Sequence, residues 1–264
     1  MKALILAAGY ATRLYPLTKD RPKPLLPIGG RALIDYLVDQ LETLPDLDGI
    51  AVVTNHRFAD HFRDWAHSRQ ARLPLEVLDD GTDTPENRLG AIGDAAWTIR
   101  ILGLDEPLLI AAADNIFPFS FRDFAAFAAK KGTDCLSCYR LDDPERLKRT
   151  GIVAVSPEGR VLRFEEKSPQ PWSDLSVPPV YLYQRETLPL FEEYLAGGNN
   201  PDAPGHFVPW LLARRPVHAF RFEGPVMDIG TPQSYAAACR AFESKAGTSR
   251  TAPPHAQETQ EGRF

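Results

Sequence analysis

The chain has 264 residues, is 44% hydrophobic and 25% charged, and carries a formal net charge of -5. That is the make-up of an ordinary soluble globular protein with room for one large domain or two small ones. The acidic balance excludes a general nucleic-acid binder, whose bound face is basic, but leaves room for a local cationic pocket.

No run approaches the ~18 apolar residues of a membrane span. The first apolar run, residues 3–8, is too short for a signal-peptide core and is followed by no cleavage site, so the expected location is the cytoplasm. Further apolar runs recur at 50–54, 73–78, 107–112, 135–141 and 152–155, each with the length of a buried strand. Between them lie helical faces. Leu33, Ile34, Leu37, Val38, Leu41 and Leu44 form one; Phe58, His61, Phe62 and Trp65 a second; Ala91, Ile92, Ala95, Ala96 and Ile99 a third; residues 121–130 a fourth. Strand–helix–strand alternation implies parallel pairing with both sheet faces covered. The first half therefore reads as α/β, a Rossmann-like doubly wound sheet.

After Gly151 the pattern changes to short strands at 152–155, 161–164 and 180–183, separated by turns such as 157–159. These predict partly antiparallel additions, so the whole sheet is mixed but mostly parallel. Helices are expected at 186–195, 207–214 and 233–244, with a strand at 217–222. The polar tail 245–264 has too few apolar residues to offset its ordering entropy and is expected to be disordered. Cys135 and Cys138 form a C-x-x-C inside a strand, where residues three apart face opposite ways. They read as buried structural thiols, as does the lone Cys239.

The segment 6–28, LAAGYATRLYPLTKDRPKPLLPI, carries the chemistry. It starts at the carboxyl end of the first strand, where open α/β sheets bind ligands. Ala7, Ala8, Gly9 and Ala11 are small enough for a ligand to reach the backbone, whose N–H groups can cradle phosphate oxygens. Arg13 and Lys23 add positive charge, and four prolines stiffen the loop.

These residues resemble the signature of the sugar-1-phosphate nucleotidyltransferases, L-A-A-G-x-G-T-R-L followed by P-K-P-L-L-P, with Ala11 in place of a glycine. The resemblance extends from Lys2 to about Ser244. It implies a nucleotide-diphospho-sugar transferase fold with one domain over 1–244. The nucleotide-binding part would span about 1–115 and the acceptor-binding additions about 116–244. It also implies catalytic roles for Arg13 and Lys23, and nucleotide contacts at Leu6, Ala7, Ala8, Gly9, Ala11 and Thr12. Asp114, which ends LLIAAAD, and Asp228 in VMDIGTPQSY match the positions that hold Mg2+, a cation suited to one or two carboxylates plus phosphates and water. Thr231 is free to cap the following helix at the same time. FEEKSPQP resembles F-x-E-K-P and implies acceptor contacts from Glu166 and Lys167, joined by Gly151.

Two places depart from the family pattern. Val177 and Pro179 stand where an Asn and a Gly are usual, so one polar sugar contact is expected to be missing. In PENRLGAIGDAAW, Asn87 and Gly90 are candidate base contacts or else turn and cap residues, and the base stays unassigned. His56 is expected to be a cap or surface residue. The resemblance implies an Mg2+-dependent transfer of a nucleotide from a nucleoside triphosphate to a sugar 1-phosphate, releasing pyrophosphate. One alternative is a cytidylyltransferase for a polyol or amino-alcohol phosphate. The other is a nucleotide-sugar-binding regulatory module without turnover. No nucleic-acid or membrane partner is expected, and the oligomeric state is open.

Overall fold

The computed structural model describes residues 1–248. Its strands are β1 (Lys2–Leu6), β2 (Pro27–Ile28), β3 (Arg31–Ala32), β4 (Gly49–Thr54), β5 (Leu75–Asp79), β6 (Leu108–Ala112), β7 (Asn115–Ile116), β8 (Asp134–Arg140), β9 (Gly151–Val155), β10 (Val161–Glu166), β11 (Leu175–Val177), β12 (Val180–Tyr183), β13 (Val217–Arg221) and β14 (Met227–Asp228). The helices are α1 (Leu33–Leu41), α2 (Ala59–Ser68), α3 (Ala91–Leu102), α4 (Phe121–Lys131), α5 (Pro144–Leu147), α6 (Pro189–Ala196), α7 (Phe207–Leu212) and α8 (Pro232–Thr248).

Ten of the strands form one mixed sheet in the order β10-β9-β11-β8-β12-β6-β1-β4-β5, with β13 paired to β8. β1 sits between β4 and β6, parallel to both, and β5 runs parallel to β4. The antiparallel part begins at β12, which joins β6 to β8. Two further short pairs, β2–β3 and β14–β7, stand apart from this sheet.

The alternation of strand side chains divides the core in two. Ile5, Val52 and Leu109 face one side, against Leu37 and Val38 of α1, Phe62 of α2 and Phe124 of α4. Leu4, Val53 and Ile110 face the other, against Ile92, Ala95 and Ala96 of α3. Phe62 and Phe124 are 0% exposed, so truncating either to Ala costs ~3–5 kcal/mol. Cys135 packs in the first half-core and Cys138 in the second, and burial pushes both thiols up to about 12. They are inert structural groups, not a metal or redox pair.

Local signals set the helix ends. Asn55 accepts the Phe58 amide at 3.1 Å before α2, and Ser120 accepts the Asp123 amide at 3.1 Å to open α4. The segment expected to be helical from 186 begins as a 3-10 turn, Arg185–Thr187, and becomes α-helical at Pro189, a first-turn position where a missing N–H costs nothing. The last helix passes the expected boundary at 244 and ends at Thr248, so the start of the expected tail is helical. The rest of that expectation, 249–264, lies outside the described residues. Among the described residues no helix is long and apolar enough to cross a membrane.

Candidate active site

The loop after β1 is anchored at its start and open beyond it. Ala7 donates its amide to the Val53 carbonyl at 2.9 Å, and the Leu6 carbonyl accepts from Ala113 at 3.0 Å. Buried Asn55 donates to the Ala8 carbonyl at 2.9 Å. The Ala7 amide is therefore committed to the sheet and is not free for phosphate, a correction to the expected cradle. From Gly9 onward the situation reverses. The amides of Gly9, Ala11, Thr12 and Arg13 donate to no acceptor among the described residues, and a Cβ on Gly9 would meet nothing within 4 Å. These N–H groups open the candidate anion site, with Arg13 exposed beside them.

Ala11 has φ 49° and ψ 39°, the left-handed conformation that the expected glycine would adopt freely and that costs an L-residue ~1–2 kcal/mol. Thr18, 1% exposed, donates to the Ala11 carbonyl at 2.8 Å and holds the bend.

Two carboxylates converge beside this loop. Asp114 follows β6 in a turn. β7 then pairs with β14, placing Asn115 opposite Asp228, and the Ile229 amide donates to the Asp114 carbonyl at 3.1 Å. The Lys23 ammonium lies 2.6 Å from Asp114 Oδ2, and Asn115 donates to Asp114 Oδ1 at 2.6 Å. Burial would raise the Asp114 pKa, but the charge and hydrogen bond of Lys23 outweigh it and hold the carboxyl below its ordinary value. Asp228 shifts the other way: crowding of the cleft around its carboxyl and then the charge of Asp114 raise its pKa, against Lys23, Arg13 and Arg146.

This donor set fits Mg2+. It offers two hard oxygen groups, one kept ionised and one at the rim, leaving the remaining positions to phosphate and water. Among the described residues no third acidic, His or Cys side chain completes an all-protein site.

Arg146 was not expected here. It lies on α5, whose first turn is capped by Asp143, and it donates to the Val226 carbonyl at 3.3 Å, two residues before Asp228. Its only local trace was a basic residue after a Pro; the contact spans 80 residues, beyond any periodicity signal.

The acceptor-side candidates meet at the end of β10. Glu166 stands opposite Gly151 in the β9–β10 ladder. A Cβ on Gly151 would lie 2.5 Å from the Phe164 ring and 3.1 Å from Glu166 Oε2. The glycine is thus required by packing inside the chain, not by open space for a ligand. A Cβ on Gly205 would lie 1.9 Å from the same Glu166 oxygen, so the 199–206 loop closes over this carboxyl. Burial pushes the Glu166 pKa up to about 7, with Lys167 opposing and Asp202 reinforcing. Lys167 has φ 52°, donates its amide to the Thr150 carbonyl at 3.1 Å and is exposed. His206 belongs to the same cluster, its pKa lowered by burial and then by Lys167. Val177 is 3% exposed, in the core.

The base-side candidates do not gather in the same way. The Asn87 amide is closed within its own turn, accepting from Thr84 at 3.1 Å and donating to Asp83 at 2.8 Å. This is the turn role. Gly90 has φ 80°, and a Cβ there would lie 2.6 Å from the Pro201 carbonyl oxygen. It is required by the 201–202 backbone, and Arg88 bonds Asp202 at 2.9 Å across the same junction. A cleft of about 350 Å³ opens there, lined by Arg88, Leu89, Gly90, Pro201 and Asp202 among others. His56 pairs with Asp79 at 2.7 Å on the surface. Thr231 caps α8 by accepting the Ser234 amide at 3.1 Å, leaving Asp228 available.

The chain has relatives in sequence and in fold. The nucleotidyl transferase family model matches residues 2–245. A glucose-1-phosphate adenylyltransferase from Thermomicrobium roseum is 30% identical over 251 residues, covering 88% of this chain and 57% of that protein. A mannose-1-phosphate guanyltransferase from Aspergillus fumigatus is 27% identical over 242 residues, covering 89% and 62%. The chain thus spans about three fifths of the length of these curated relatives. In fold it is similar to a UDP-glucose pyrophosphorylase crystallised with UDP-glucose, with TM-score 0.78, 21% identity, and coverage of 92% of this chain and 98% of that one.

Proposed function

The chain belongs to the nucleotidyl transferase family, and on that premise we propose that it is a Mg2+-dependent sugar-1-phosphate nucleotidyltransferase. The observation that carries the reading is the convergence of Lys23, Asp114 and Asp228 beside the unpaired amides of Gly9, Ala11, Thr12 and Arg13. In the proposed reaction, a phosphate oxygen of the acceptor attacks the α-phosphorus of a nucleoside triphosphate. The bond from that phosphorus to the β-phosphate bridging oxygen breaks, and pyrophosphate leaves with the electron pair. The nucleophile is already an anion, so no general base is needed; catalysis is positioning and charge neutralisation.

Arg13 and Lys23 bind the triphosphate and the departing pyrophosphate. Arg146 and Lys167 meet the incoming acceptor phosphate, and Glu166 accepts from an acceptor hydroxyl. Asp114 and Asp228 would hold Mg2+, which supplies Lewis-acid charge neutralisation at the α-phosphate. One catalytic domain over 1–244, built on the single sheet that runs through both parts, and a cytoplasmic location belong to the same reading.

A cytidylyltransferase for a polyol or amino-alcohol phosphate is the second reading, favoured by buried Val177 at the place of the missing sugar contact. Reverse pyrophosphorolysis separates the two. The protein is incubated with Mg2+, pyrophosphate and a panel of nucleotide-linked sugars and alcohols, and nucleoside triphosphates are detected. A triphosphate formed from a nucleotide sugar supports the first reading, and one formed only from a CDP-alcohol supports the second. Binding of these donors without turnover rejects both in favour of a regulatory module.

A further inference from the structure

A second acidic pair lies away from the Asp114–Asp228 cleft. Asp80 follows β5, and Asp94 sits in the first turn of α3. Asp94 is 4% exposed. The two side chains lie close enough to interact directly, and each has a buried oxygen, Asp80 Oδ2 and Asp94 Oδ1, with no donor among the described residues. No Lys, Arg or His among the described residues bonds either carboxyl. The charge of Asp79 adds to the repulsion at Asp80; Asp79 is itself tied to His56 and lies 3.8 Å from Arg63. Two ionised carboxylates in such a place repel one another and lack solvation, whereas one proton between them satisfies both oxygens.

The pair also connects to the candidate nucleotide loop. Asp80 Oδ1 accepts from the Thr82 amide and hydroxyl, each at 2.7 Å. The Thr82 carbonyl accepts the His56 amide at 2.7 Å. The buried Tyr10 phenol, between Gly9 and Ala11, lies beside Thr82. Its flanking charges are Asp80, Asp83 and Arg57.

We propose that Asp80 and Asp94 share one proton and act as positioning residues for the nucleotide loop, holding the 80–82 segment against Tyr10. Losing the proton leaves two buried negative charges in contact, which drives the 80–82 segment away from α3 and removes the support of Tyr10. Burial and then the charge of Asp80 push the Asp94 pKa up to about 8, so the loop loosens just above neutral pH. The role of the loop in binding phosphate rests on the proposed function; the shared proton does not.

The test uses the full chain as wild type, D94N and D80N. Either amide donates permanently to the remaining carboxylate and removes the titration. Thermal melting is followed from pH 5 to pH 9, and affinity for magnesium pyrophosphate is measured over the same range. A folded-state pKa above the unfolded value contributes stability that is fully present at low pH and is lost between about pH 4 and pH 8. The wild-type melting temperature is therefore expected to fall against that of D94N up to about pH 8 and to run parallel to it above. The ratio of wild-type to D94N pyrophosphate affinity is expected to fall about fivefold between pH 8 and pH 9.

Parallel melting curves over the whole range overturn the shared proton. Divergent melting curves with matching affinity profiles overturn the positioning role. Divergent curves without pyrophosphate binding at any pH overturn the proposed function and leave the shared proton standing. If D94N does not fold, D80N gives the same readings.

Discussion

Replacing Lys23 by Met keeps most of the aliphatic stem and removes the ammonium. That ammonium lies 2.6 Å from Asp114 Oδ2, with the Lys23 side chain 12% exposed and the Asp114 side chain 34% exposed. At an effective dielectric of ~20, unit charges this close attract by about 6 kcal/mol. Water reaches a third of Asp114, so the net loss of fold stability is far smaller, about 1–2 kcal/mol. For a chain of this size that lowers the melting temperature by roughly 2–8 °C, and the variant stays folded.

Two functional effects follow, with opposite signs. Removing one transition-state cation costs ~3–4 kcal/mol, a fall of about 100- to 1000-fold in kcat. Removing the competitor for Asp114 exposes its carboxylate, so magnesium should bind more tightly to the variant, not less. The assay is pyrophosphate release under saturating substrates at several magnesium concentrations, beside a magnesium titration followed by calorimetry. A change confined to KM, or weaker magnesium binding in K23M, refutes this account of Lys23 and Asp114.

Three further outcomes are expected. Ala11→Gly relieves the left-handed strain at φ 49° and should raise the melting temperature by about 1–3 °C; a lower value in differential scanning fluorimetry removes the strain argument. Glu166→Gln should abolish a rise in acceptor affinity through about pH 7, where the buried carboxyl ionises. In the wild type the same group contributes stability that is fully present below its unfolded pKa of 4.5 and lost as pH rises to about 7; a pH profile of acceptor KM unchanged by the substitution dismisses that contact. Arg146→Ala should lower kcat/KM for the acceptor about tenfold or more with little change in melting temperature, because its side chain gives up a single long, 3.3 Å hydrogen bond among the described residues. An unchanged kcat/KM removes Arg146 from the phosphate site.

The residues themselves determined whatever contiguous stretches can encode. Uninterrupted burial makes β4 legible as an apolar run, and recurrence at helical spacing makes α1 legible through Leu33, Ile34, Leu37, Val38 and Leu41. The segment 6–28 likewise announces a phosphate loop, since small residues, prolines and four basic residues, Arg13 and Lys23 among them, lie within one stretch of chain. Pairings between distant segments have no such local trace. Lys23 and Asp114 are 91 residues apart, and the sequence offers each only as a charge. The Glu166 carboxyl meets Gly205 through a loop that joins different helices. Asn87 and Gly90 show the converse: their types suit either a turn or a ligand, and the answer depended on whether Asp83 and Pro201 already filled the space. Amphipathic periodicity specifies which face of an element is buried. Which buried charge meets which is specified only when β6, β7 and β14 bring separate ends of the chain to one cleft, where each carboxylate's protonation depends on its neighbours.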